Sequence, residues 1–169
     1  MRGVLASRPS EAALLAFMLG GLLIVLAGKI IQIQILYASP EDRNDLVQSE
    51  AYAMLFWRSL AYYGMAALAT LIARACGGQG AWKDGRAAFF WAVLVSAPVL
   101  LLSALLPLLL TGVPPEVATV TAQVGAVFFT WALAQCFAET FGFARTWIVC
   151  AAFCAPALLI FAAGWLMRG

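Results

Sequence analysis

Few residues in this chain could carry chemistry, and their spacing limits what they could do. Cys150 and Cys154 lie one helical turn apart on one face, which invites a metal reading. The chain has no histidine, however, and the nearest carboxylate in sequence, Glu139, stands at the end of a different apolar stretch. Cysteine inside an apolar stretch ordinarily behaves as a small apolar residue, so Cys136, Cys150 and Cys154 are expected to pack. Gly78-x-Gly80 lacks the fuller glycine patterns of nucleotide sites, and no strand precedes it, so it reads as a turn. Without histidine, a zinc signature or paired intramembrane carboxylates, acid–base and metal chemistry have few candidate groups. The expectation is therefore no enzyme, no metal and no cofactor.

Three polar residues remain inside apolar surroundings. Arg58, with Trp57 beside it and Tyr62 one turn on, is either a buried functional charge or an interfacial one whose side chain snorkels outward. Trp57 marks an interface and favours the second reading. Gln123 and Thr130, with Thr119, fall close to one helical face. They form a polar seam expected to join helices, the alternative being a pore lining.

These residues are positioned by five apolar stretches, at about 12–37, 51–75, 87–110, 117–138 and 146–167. Each meets or approaches the ~20 helical residues that cross a bilayer's hydrocarbon core. A chain of 169 residues that is 64% hydrophobic and 11% charged cannot cover itself with a polar surface. The expected fold is all-α: one polytopic bundle of five transmembrane helices forming a single domain over residues 1–169. The net charge of +2 gives no sign of nucleic-acid binding. Arg2 and Arg8 before an apolar run resemble a signal peptide, but the uncharged stretch from Ala12 to Gly28 exceeds a usual signal core, so an uncleaved first span is expected.

Within the spans, Ser10 is the expected N-cap of the first helix, whose small residues Ala13, Ala16, Gly20 and Ala27 predict a close-packing face. Residues 38–50 read as an acidic loop, with Asp45 a cap for the next helix. Ala88, Ala92 and Ser96 form a second small-residue face, and Pro98, Pro107 and Pro156 predict bends.

Lysine and arginine set the orientation. Arg2, Arg8, Arg74, Lys83, Arg86 and Arg145 fall on one side. Arg43 and Arg168 fall on the other, joined by Lys29 and Arg58 if these snorkel outward. The positive-inside rule then puts the N-terminus in the cytoplasm and the C-terminus outside. The connections containing Gly77–Arg86 and Glu139–Arg145 share the cytoplasmic side. They offer Trp82, Lys83, Arg86, Phe141, Phe143 and Arg145, a mixture of the kind enriched at partner surfaces and equally at lipid interfaces.

Three features together resemble a known family: five close-packed spans with an inside N-terminus, the Gly77-Gly78-Gln79-Gly80-Ala81-Trp82 turn before a proline-containing span, and the Glu139-Thr140-Phe141-Gly142-Phe143 turn. The chain resembles the Yip-domain family (Ypt/Rab-interacting-protein type) in its compact bacterial form. That resemblance implies a membrane fold in the bacterial inner membrane and supplies no catalytic residue. Eukaryotic members are associated with Rab-type GTPases through a cytosolic N-terminal region, of which this chain holds only a short tail. The expected function is a non-enzymatic membrane scaffold or accessory subunit that binds lipids and another membrane protein or a second copy of itself. A small solute transporter or channel is the alternative.

Overall fold

The computed structural model describes residues 9–36, 39–109, 115–143, 147, 149–151 and 153. Among them are no strands and four helices: α1 (Glu11–Leu36), α2 (Pro40–Ala75), α3 (Trp82–Leu109) and α4 (Pro115–Phe141). All four are long and apolar enough to cross a membrane. The fifth apolar stretch, at 146–167, falls largely outside the described residues, as do Arg2, Arg8, Arg145, Cys154, Pro156 and Arg168.

Ser10 opens α1 as expected, its hydroxyl accepting the Ala13 N–H at 3.2 Å. The acidic segment 38–50 is not a loop. It is helical from Pro40, and Asp45 lies inside α2 instead of capping it. The reason is local. Ser39 is extended, Pro40 occupies the first turn where its missing N–H costs nothing, and Glu41 and Asp42 stand at the positive end of the helix dipole. The third helix also starts earlier than the apolar stretch, at Trp82. There the Asp84 carboxylate accepts the Ala81 N–H at 3.0 Å and so fixes the first turn. α4 likewise extends past 117–138 at both ends.

α3 is the central helix. It runs in the same direction as α1, with paired contacts rising together along both: Glu11 with Arg86, Gly21 with Val93 and Leu94, Gly28 with Leu101, and Gln32 with Ala104. α2 and α4 run oppositely to it. Thr70 meets Gly85 while Tyr63 meets Phe90, and Phe129 meets Phe89 while Gly125 meets Leu100 and Ser103. The Glu11–Arg86 and Gln32–Ala104 contacts are ~32 Å apart along α1 and ~27 Å apart along α3, at about 1.5 Å per residue. A hydrocarbon core of ~30 Å fits between these two polar levels.

Close approach of backbones holds the bundle together, because lipid offers helices no hydrophobic incentive to associate. The small face Ala88–Ala92–Ser96 is buried as expected, and Ala66, Ala69, Thr70 and Ala73 of α2 are buried too. A Cβ on Gly85 would fall 2.8 Å from the Thr70 Cβ, so only glycine fits there. On α1 the expected face is displaced. Ala16 and Ala27 look outward, whereas Gly21 and Gly28 are buried. Their seven-residue spacing follows one seam with Leu14 and Met18, and it admits Val93 and Leu101.

α3 runs through both Pro98 and Pro107. Pro107 leaves the carbonyl one turn back without its helical donor. Beside it, the Gln32 amide donates to the Ala104 carbonyl at 2.8 Å. Phe89 and Phe90 fill the centre of the bundle, edge-on to Tyr62, Tyr63 and Phe129. The outer surface carries Leu19, Leu23, Leu68, Leu71, Val124 and Val127, as a hydrocarbon solvent requires.

Between Ala53 and Arg58 the second helix is wound as a π-helix. Nothing in the residue types Ala-Met-Leu-Phe-Trp-Arg distinguishes this turn from an α-helical one. It was not expected from the sequence.

Candidate functional site

At the end of the bundle that carries Glu11 and Arg86, the two connections singled out in the sequence are joined. α2 ends in a Schellman motif: Gly77 has φ 92°, its N–H donates to Arg74 O, and the Gly78 N–H donates to Ala73 O, both at 3.0 Å. α4 ends with the same turn. Gly142 has φ 74°, and the Phe143 N–H reaches Ala138 O at 2.9 Å. Both glycines occupy left-handed backbone that a Cβ disfavours.

The two turns are clamped by Phe141. Its carbonyl accepts the Gln79 N–H at 3.4 Å, and its ring lies against Gly78 and Gly80, where an added Cβ would come within 2.8 and 2.7 Å of it. The same ring stacks on Phe137 at 5.4 Å. Gly77, Gln79, Glu139, Thr140, Phe141, Gly142 and Phe143 together line a cleft of about 380 Å³. Its lining is mostly polar, with Gln79, Glu139 and Thr140 among it and the Thr140 hydroxyl donating to the Cys136 carbonyl at 2.7 Å, so the cleft suits a polar backbone segment or headgroup more than an apolar side chain.

The expected surface residues separate into distinct roles. Trp82 is 48% exposed, with the Arg74 guanidinium 5.5 Å above its ring, a cation–π contact. Lys83 is exposed, and Phe143 is half-buried at the cleft edge. Arg86 is engaged with the Glu11 carboxylate at 3.0 Å, tying the starts of α1 and α3 together. Phe141 is 3% exposed and is a clamp, not a contact residue. Arg74 was overlooked as part of this surface. Its place at the last turn of α2, one short turn from Trp82, was the available signal.

The three intramembrane polar residues do not converge in any described contact. Thr130 donates to the Ala126 carbonyl of its own helix at 2.9 Å. Gln123 is exposed, in an outward apolar groove formed with Val120, Val124, Val127, Phe128 and Trp131 of the same helix. Among the described residues neither meets another helix, and α3 packs on α4 through Gly125 and the phenylalanines. Arg58 is half-buried. It donates to the Met54 sulfur at 3.2 Å and lies 3.8 Å from the Glu50 carboxylate.

No family model matches the chain, and no curated protein or solved structure matches it at a significant level.

Proposed function

We propose that the chain is a non-enzymatic multi-pass membrane scaffold or accessory subunit that docks another membrane protein through the Schellman-turn end of the bundle. The observation that carries this reading is the clamp. Two connections distant in sequence are held rigidly against each other by a buried phenylalanine, and a polar cleft opens between them beside an exposed tryptophan and lysine. A preorganised surface of this kind loses little freedom on binding. On the charge asymmetry we take this end as cytoplasmic, with the fifth apolar stretch as a fifth span, and on the Yip-domain likeness the bacterial inner membrane as the location. The likeness to the Yip-domain family, carried by the same two turns, agrees with the reading.

A transporter would need Arg58, Gln123 and Thr130 to share a pathway. Among the described residues Arg58 and Thr130 bond within their own helices and Gln123 lines a groove of its own helix, so the scaffold is preferred.

Trp82→Ala combined with Lys83→Glu tests the proposal without touching the core or the Glu11–Arg86 pair. Co-purifying membrane partners are expected to fall away while the melting temperature in detergent stays within about 2 °C, as exposed substitutions ordinarily allow. Partners retained at the wild-type ratio would remove the docking role from this surface.

A further inference from the structure

Glu50 and Arg58 are brought onto one face of α2 by the π-helical turn between them. Eight residues of ideal α-helix would leave the two side chains about 80° apart after two full turns. The wider turn of Ala53–Arg58 winds less per residue and closes that gap. The resulting pair is loose. At 3.8 Å it is too long for a hydrogen bond, and the Glu50 Oε2 atom, though shielded from solvent, accepts none. Arg58 has five donors, and among the described residues its one hydrogen bond goes to a thioether, a weak acceptor. The Ser59 hydroxyl on the same turn is also buried without a partner. The Arg58 and Glu50 side chains are otherwise 40% and 30% exposed, so the outer face of the pair, and not the shielded Glu50 Oε2 or Ser59 hydroxyl, is open to a third party.

The order of the charges along the membrane normal defines that party. α2 runs opposite to α1, so the Glu50 backbone stands nearer the Gln32–Ala104 level and the Arg58 backbone ~12 Å further along, with the Arg58 side chain reaching back past Met54 to within 3.8 Å of the Glu50 carboxylate. Around them Tyr52, Leu55, Phe56, Trp57 and Leu60 are exposed, an apolar and aromatic flank open to lipid. We infer that Glu50 and Arg58 bind the headgroup of a zwitterionic phospholipid bearing a primary ammonium, the phosphoethanolamine type. The phosphate, attached to glycerol and therefore deeper, takes the Arg58 guanidinium. The ammonium, at the outer tip, donates to Glu50, and the acyl chains lie along the exposed flank. A choline headgroup has no N–H to give Glu50, and a purely anionic headgroup would meet its negative charge. This inference needs the chain to span the membrane but is independent of the docking end.

The full-length protein, purified from a mixture of ethanolamine, choline and glycerol phospholipids, is examined by native mass spectrometry. Wild type is expected to retain the ethanolamine lipid over the other two by roughly ten-fold, the ratio one charge-assisted hydrogen bond supplies. Glu50→Ala, which removes the acceptor, is expected to abolish the preference over choline, and Arg58→Gln to reduce retention of all three lipids. Should either single variant fail to fold, Glu50→Arg with Arg58→Glu keeps a pair on the same face in inverted order. That protein should fold and lose the ethanolamine preference. Retention without headgroup preference in wild type, a preference for the anionic lipid, or an unchanged preference in the folded swap would each overturn the inference. Soluble phosphoethanolamine at equal concentration should not displace the bound lipid, and displacement would rule out the lipid as ligand.

Discussion

Single residues in this bundle are constrained chiefly by how closely backbones approach. Gly85 is the sharpest case, because a methyl group there enters the volume of the Thr70 side chain on the facing helix. Gly85→Ala is expected to cost ~1–3 kcal/mol through overpacking. Thr70→Ala in the same chain should restore part of the loss, since it removes the clashing hydroxyl and methyl and sacrifices only a bond to the Ala66 carbonyl within its own helix, while the Cβ of residue 70 stays within 2.8 Å. Melting of the single and double variants in detergent measures this coupling, and additive losses would mean that the two residues do not meet. The sequence made the identity of such positions only half visible. Ala88, Ala92 and Ser96 were legible as a packing face because small residues recur every four positions. On α1, small residues are so frequent that the repeat through Ala16 and Ala27 competes with the one through Gly21 and Gly28. The partner helix decides between them by presenting Val93 and Leu101, and that information lies seventy residues away.

At the scale of elements, apolar length located the helices but not their ends. A hydropathy boundary marks where water begins, whereas a helix ends where its capping and turn chemistry stop it. Pro40 and Asp84 extend α2 and α3 into polar sequence for that reason. Gln48→Pro tests the first extension. Proline inside a helix costs ~3 kcal/mol through a lost hydrogen bond and a ring clash, whereas an irregular loop would tolerate it. A lowered melting temperature and weakened pairing of Glu50 with Arg58 are the expected results, and an unchanged melting curve would return 38–50 to a loop. The π-helical turn was invisible beforehand because winding depends on what the flanking helices demand of Met54, buried in the core, and Tyr62, half-buried against it. The residues of the turn itself carry no mark of it.

For the whole molecule, the alternation of four helices places Ser39 and Gln79 at opposite ends, whichever way the protein faces. A reporter inserted at Gln79 is expected to read as cytoplasmic, and one inserted at Ser39 or fused after Arg168 as periplasmic. Both insertions reading from one compartment would refute the spanning arrangement of α2, and a full reversal would overturn only the orientation. The joining of the two glycine turns was legible in outline, because a bundle with short connections must bring alternate loops to one side. The clamp itself was not. Phe141 reads from sequence as one more interfacial aromatic, and only its depth between Gly78 and Gly80 turns it into a structural part.

The parallel pairing of α1 with α3 also sets a timetable for synthesis. An antiparallel neighbour is available as soon as the next helix emerges, but the seam of Gly21 and Gly28 is filled by residues on the helix after next. At ~5–20 residues per second, several seconds separate the appearance of Gly28 from that of Leu101. During that interval the first hairpin sits in the membrane with its glycine groove open to any helix that fits. The nascent chain is therefore at its most vulnerable to quality control, and to capture by a foreign helix, before its third helix arrives.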